Sequence, residues 1–452
     1  MSQPESKPVG SAHFALCLLP IAVAALLFAL WSPLPANMGP AQIALGVASL
    51  GWLTAVLLAA RGRGHVGLVV GGAIALRLFM LASDPGLSDD IYRYVWEGEL
   101  VGQGVSPYAH APDAPELAEH RARLPEVYER LNNKDISAAY PPLVQYANAA
   151  VVYSAHRSRS APGLSAVLAL RLFYSLCDLL VLWPLMLLLA RAGKPRALAV
   201  AWGWSPLVMI EFAGSGHFDS LGILALVTAL VVFGERAKHA GRGLALLACA
   251  VLVKFVPIVA APFLLRGKDW WKRGLLLAGL LVGMYLPILL LQDGTLGLFT
   301  GLKQYGLRWE SGSLVFRWID SLVRQRPGFL HENPQVVARA VMGGMWVLFA
   351  AHAWLRGFDP VRGTGRLLAA WLVLTPTLHP WYLTWILPFF ALRPLPAWGW
   401  LCAAAPLLYW PLVEWQRQEI WEEPAWVWPV LAVPFFAWLV IDAWRPRARS
   451  AS

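Results

Sequence analysis

Residues 86–108 read GLSDDIYRYVWEGELVGQGVSPY, and the placement of this stretch decides what the chain can be. Two adjacent carboxylates, Asp89 and Asp90, precede Arg93, Glu97 and four aromatics: Tyr92, Tyr94, Trp96 and Tyr108. Upstream lie three apolar runs, at about 13–31, 41–60 and 66–81. A charged, aromatic segment after three such runs is expected to leave a membrane and then run along its surface. It is suited to bring a water-side group to a lipid.

Composition sets the same frame. Of 452 residues, 58% are hydrophobic and 14% charged, where soluble domains carry about 25% charged residues. The missing charge implies a large surface that never meets water. Several runs approach the ~20 apolar residues that cross a bilayer. Short alternating segments of a β-barrel are not seen. The fold class is therefore all-α and polytopic. The net charge of +10 falls in short basic clusters between apolar runs, as the positive-inside bias predicts, and gives no reason to expect nucleic acid. Cys17, Cys177, Cys249 and Cys402 fall inside predicted spans, without a disulfide framework or a CxxC pattern. The run after Lys7 is long for a signal-peptide core and reads as an uncleaved first helix.

Working outward, the first span ends at the turn 31–35, and the basic hairpin Arg61-Gly62-Arg63-Gly64-His65 is expected in the cytoplasm. Three crossings then put the loop 82–139 outside. Its start, 89–100, reads as a helix with Ser88 as N-cap and the two aspartates in the first turn, where the helix dipole favours them. Helical spacing gathers Asp90, Tyr94 and Glu97 on one face and Asp89, Arg93 and Trp96 on the next. Gly102 and Gly104 end the helix. The stretch 140–155, opened by Tyr140-Pro141-Pro142, must dip into the outer leaflet and return, or later basic loops would face the wrong side. Spans follow at about 164–190, 197–212 and 221–233. The run 243–265 is broken at Lys254-Phe255-Val256-Pro257 and reads as a membrane hairpin with both ends inside. After a span at 275–291 comes a second extracytoplasmic loop, 292–333. Spans at about 335–355, 367–378, 381–392, 397–412 and 426–443 complete roughly 12 to 14 crossings in a single integral-membrane domain, 1–452. Glu414, Glu419, Glu422 and Glu423 form an acidic outer loop, and the basic tail 445–449 lies inside. No short internal repeat appears, which removes support for solenoids and inverted-repeat transporters.

A sugar on a lipid phosphate already carries its leaving group. Its transfer to a hydroxyl needs a base, a cation for the phosphate and a dry pocket. Asp89 or Asp90 can be the base, or the pair can hold a divalent cation such as Mg or Mn, since hard cations prefer oxygen ligands. Arg93 can meet a phosphate in bidentate fashion, and the aromatics can cover a sugar face. The bland alternative is a solvated loop helix, because acid pairs are common in loops. His217 and Asp219, in a glycine-flanked exit between spans, can bind a sugar hydroxyl, the phosphate or a metal, or can merely tip a turn. Lys254, at a break inside the membrane, is a functional candidate unless it snorkels to the cytoplasmic face. His379, in His379-Pro380-Trp381-Tyr382, can contact the phosphate or cap a turn. Arg171 and Asp178, two turns apart in one span, read as structural partners.

SDDIYRYVWEG, then SPY, then YPPL at 140–143, together resemble the first outer loop of the GT-C superfamily of polyprenyl-phosphate-sugar-dependent glycosyltransferases. Bacterial mannosyltransferase-like members are most similar, with the GPI mannosyltransferase catalytic subunit more distant. WSPLVMIEFAGSGHFDSL at 204–221 resembles that family's second patch, and Lys254 with Pro257 and His379-Pro380-Trp381-Tyr382 are similar in placement. The resemblance spans about residues 66–392. Many members carry a spaced Asp-X-Asp or Glu-X-Asp pair, whereas these acids are adjacent. Members often have Asn before the Gly-His of the second patch, where Ser215 and Gly216 stand here.

The resemblance implies a multi-spanning enzyme of the bacterial inner membrane with an extracytoplasmic active site. It would move a hexose such as mannose from a polyprenyl-phosphate donor to a lipid or glycan acceptor, with inversion. Asp89 or Asp90 would be the base. Arg93, Tyr94, Trp96, Glu97, Tyr108, Tyr140, His217, Asp219, Lys254, His379 and Tyr382 would bind substrate. A lipid-linked sugar flippase or a non-catalytic envelope-assembly subunit are the readings from other classes.

Overall fold

A computed structural model describes residues 11–31, 37–156, 162–234, 240–325, 333–418 and 420–444. The expected turn at 32–35, the basic stretch 235–239, Glu419 and the basic tail 445–449 lie outside the described residues. About 75% of the structure is helical, with no strands among the described residues. The protein is thus an all-α polytopic membrane protein. Six described helices are long and apolar enough to cross a bilayer, seven if a bent pair counts as one span. Four shorter apolar helices, among them Val66–Leu81 and Ala240–Val253, add to these. The sequence leads to a larger count because most of its apolar runs read as crossings. Several of these runs are short or broken by proline: 380–386 winds as a tight 3-10 turn, and 405–409 does the same.

The spans show why the chain is so apolar. Trp270–Gly283 buries only Leu277, while Leu275 and Val282 stay exposed. Pro334–Leu355 likewise exposes Val347 and Leu348. A continuous apolar surface of this kind is stable only against lipid. Towards the middle, Pro162–Arg191 packs on Asp219–Phe233, which packs on Ala240–Val253. The N-terminal helix Leu18–Leu30 lies on Met38–Ala60 and Val66–Leu81.

Two buried arginines inside this bundle are paired. Arg77 donates to both Asp178 oxygens, at 2.7 and 3.0 Å, and to the Gly203 carbonyl. Arg171 instead donates to the carbonyls of Ala213 and Met80, at 2.9 and 2.8 Å. The expected Arg171–Asp178 pair is therefore corrected. The partner of Asp178 comes from another helix, 101 residues away in the chain, which spacing within one span cannot reveal.

The loop helix forms at Asp90–Gly102 against the expected 89–100, with Asp89 and not Ser88 at the N-cap. The Asp90 N–H donates to Ser88 Oγ at 3.3 Å, and Gly104, at φ +80°, turns the chain out. The helix Pro142–His156 packs along it and against Pro162–Arg191. Gly98 makes that approach possible, since a Cβ there would stand 2.9 Å from the Asn148 carbonyl carbon. Pro142–His156 is not among the apolar helices that qualify as spans.

Candidate functional site

The site grows from the first turn of the loop helix. Asp89 is exposed and Asp90 half-buried. A single amide joins them: Asn132 Nδ2 donates to Asp89 Oδ1 at 2.6 Å and to Asp90 Oδ1 at 2.8 Å. One turn on, Tyr94 Oη lies 3.5 Å from Asp90 Oδ2 and 3.2 Å from His217 Nδ1. Crowding by the surrounding protein and the charge on Asp90 raise the Asp89 carboxyl to about 6, against the Asn132 hydrogen bond. Burial raises Asp90 too, opposed by Asn132, Arg93 and Lys254. Both acids thus hold a proton more tightly than a free carboxylate, as suits groups that must accept one near neutrality.

The second patch supplies the floor. Ser205 caps the short helix Pro206–Val208 by accepting from the Val208 N–H. Met209–Gly214 then winds as a π-helix, a form that favours functional sites. Gly216, at φ +77°, turns the chain so closely that a Cβ would stand 2.7 Å from Ile91. The next residues, His217, Phe218 and Asp219, are thereby aimed at the loop helix. His217 is fully buried, 3.4 Å from Glu211, and stacks on Trp381 with ring centroids 4.0 Å apart. His379 stacks on the same Trp381 at 4.3 Å.

Lys254 lies here, buried beside Asp219. The helix Ala240–Val253 stops just before it, at the expected break. Its Nζ donates to Asp219 Oδ1 at 2.7 Å and sits 4.1 Å above the Tyr382 ring. Asp219 Oδ1 also accepts from Trp385 Nε1 at 2.6 Å, while Asp219 Oδ2 is buried with no partner. A buried cation survives at membrane depth only when paired, so snorkelling is corrected to an ion pair. Tyr382 Oη and Tyr305 Oη are 2.6 Å apart, which ties the segment 292–325 to this floor. Tyr140 packs its ring on Phe218, centroids 4.6 Å apart.

Other expected site residues are brought near but face elsewhere. Arg93 is buried, and its donors are spent on Glu97 and on the carbonyls of Asn132, Asn133 and Ile136. Glu97 accepts in turn from Gln145 at 2.7 Å. Arg93 and Glu97 therefore build the wall that carries Asn132, and no guanidinium edge is left for a phosphate. Trp96 packs on Tyr128, and Tyr108 donates to the Tyr140 carbonyl at 2.7 Å. The sequence reading missed Asn132, Trp385, Trp381, Glu211 and Tyr305. Only Glu211 carried a signal, an acid inside an apolar run.

Asp89 and Asp90 share an N–H donor, and among the described residues no group of three or more His, Cys, Asp or Glu side chains can hold a metal.

Comparison with known proteins adds family evidence. A family described as "Alpha-(1->6)-mannopyranosyltransferase, N-terminal domain" matches residues 41–266, half of the chain. This match takes in Asp89, Asp90, Asn132, His217, Asp219 and Lys254. A probable alpha-(1->6)-mannopyranosyltransferase of Mycolicibacterium smegmatis is 25% identical over 373 residues, covering 71% of this chain and 63% of the relative. The chain thus spans less than two thirds of that relative's length. No solved structure matches.

Proposed function

This chain belongs to the alpha-(1->6)-mannopyranosyltransferase family matched by residues 41–266, a GT-C-like group of mannosyltransferases, and from that premise we propose that it transfers mannose from a polyprenyl-phosphate donor to a hydroxyl on the extracytoplasmic side of a bacterial inner membrane. The product bond is the α-(1→6) bond of the family's description. A single displacement inverts the anomeric carbon, so an α product requires a β-linked donor.

In the step, the acceptor oxygen attacks C1 of mannose and the C1–O bond to phosphate breaks. The bonding pair leaves on the phosphate oxygen, and the hydroxyl proton passes to Asp90. Asp90 is favoured over Asp89 because it faces inward. Its Oδ2 lies by Tyr94, and Lys254 and Asp219 act on its charge. Asp89 looks outward and acts on the pair. Lys254 is the cation nearest that acid on the floor and is assigned to the leaving phosphate, where charge builds up. The unpartnered Asp219 Oδ2 is an acceptor for a sugar hydroxyl. His217, Trp381, His379 and Tyr382 line the sugar's side, where ring faces suit the apolar face of a hexose.

The observation that carries the reading is the approach of a proton-accepting acid to a buried lysine across an aromatic floor. The test is transfer from radiolabelled mannosyl polyprenyl phosphate to an alkyl mannoside by purified protein. Asp90→Asn is expected to lower kcat by about 10²–10⁴-fold, and Asp89→Asn by less. Full transfer by the double variant Asp89→Asn/Asp90→Asn would remove the assignment.

A further inference from the structure

Asn132 has no role in the reaction as described so far, yet it is the only described side chain that bonds both acids. It is held with care. The guanidinium of Arg93 donates to the carbonyls of Asn132, Asn133 and Ile136 and to Glu97, which Gln145 holds in turn. Asn133 sits at φ +43°, in the left-handed region that most residues avoid. This backbone aims Asn132 Nδ2 at the gap between the two carboxylates. Its Oδ1 is buried and has no partner.

We infer that Asn132 is a positioning residue whose side-chain amide keeps the Asp89–Asp90 pair ionised and apart. The inference rests on the proposed role of Asp90 as base. The physics is simple. Two carboxylate oxygens that approach each other repel unless a proton or a donor lies between them. The two hydrogens of the Asn132 amide serve one oxygen each, so no shared proton is needed. Without that amide the pair would take up a proton at higher pH, and the base would be lost.

Other groups bear on the same pair. On its own helix Arg93 favours the charged state of Asp90, while Glu97 is itself affected by the charge of Asp90. From the floor Lys254 favours the charged state and Asp219 opposes it. Glu211, from the π-helix, and the phenols Tyr140 and Tyr305 also feel the charge of Asp90. None of them bonds both acids, so Asn132 acts where they cannot.

The test is the pH dependence of kcat/KM with mannosyl polyprenyl phosphate and an alkyl mannoside, for wild type, Asn132→Ala and Asn132→Asp. A hydrogen bond to a charged group is worth about one pKa unit or more. The acid limb of Asn132→Ala is therefore expected to move up by about one pH unit, with activity recovering at high pH. Asn132→Asp keeps the shape but adds a third carboxylate, and its limb is expected to move further up. Should Asn132→Ala fail to accumulate, Asn132→Asp carries the same test. Limbs that superimpose on wild type, with a uniform drop or none, overturn the inference. The assignment of the acid pair as base fails separately: it falls if the double variant Asp89→Asn/Asp90→Asn retains full transfer, whatever the Asn132 variants do.

Discussion

Replacing Lys254 by methionine removes an ammonium group and keeps most of the apolar stem. In the folded protein that group is 2.7 Å from Asp219 Oδ1, and the two residues are 8% and 1% exposed. An exposed pair contributes about 0–1 kcal/mol, but this pair is buried, so the relevant cost is that of leaving a charge without its partner. Breaking a buried pair from one side costs about 3–5 kcal/mol. Asp219 would keep the Trp385 indole N–H at 2.6 Å and can take up a proton, which puts the expected loss near the lower end, about 3 kcal/mol. Lys254→Met/Asp219→Asn removes both charges and is expected to recover most of that stability. Transfer should not recover with it. A cation aimed at a leaving phosphate contributes about 10²–10³-fold to kcat, and the double variant still lacks it. Thermal unfolding in detergent, followed by tryptophan fluorescence, reads the first quantity, and the radiolabelled transfer assay reads the second. If the double variant regains both stability and transfer, Lys254 is only the counter-ion of Asp219. If Lys254→Met is as stable as wild type, the burial argument itself is wrong.

Further outcomes follow from the same geometry. The base must be ionised, and the pair holds its proton more tightly than a free carboxylate, with Asp89 at about 6. Transfer by the wild type should therefore fall off at a higher pH than a free carboxylate would set, because burial raises Asp90, and a limb in the ordinary carboxylate range, near pH 4, would contradict the reasoning. Gly98→Val would push side-chain atoms into the Asn148 backbone, already 2.9 Å from a bare Cβ. It is expected to cost about 1–3 kcal/mol and to loosen the loop helix, which a lowered unfolding temperature together with reduced transfer would detect. A cysteine placed at Ser88, once the four native cysteines are replaced, should react with a membrane-impermeant thiol reagent added from outside intact cells. Labelling only in inverted vesicles would overturn the proposed orientation.

Much of the fold was legible in the chain. The helix from Asp90 to Gly102, the exact bounds of Val66–Leu81 and the break at Lys254 each follow from local rules: caps, glycines, apolar length and proline. The Arg171–Asp178 pairing was misread for the complementary reason. Spacing within one span says which residues share a helix, but the nearest opposite charge came from Val66–Leu81. Arg93 sits beside the acids in sequence, and that nearness alone suggests a phosphate ligand. Its true neighbours are the carbonyls of 132, 133 and 136, some forty residues on.

By itself the sequence determined that this protein lies in a membrane, that it is helical, and that its acids occur in a loop next to a span. Those properties depend on hydrophobic length and helical period, which act over one or two turns. Only the tertiary structure decided that Asn132 bridges the two aspartates, that Lys254 meets Asp219, and that Trp381 receives both histidines. A buried charge or donor must find its complement in space, and the complement is wherever packing brings it, at no fixed distance along the chain.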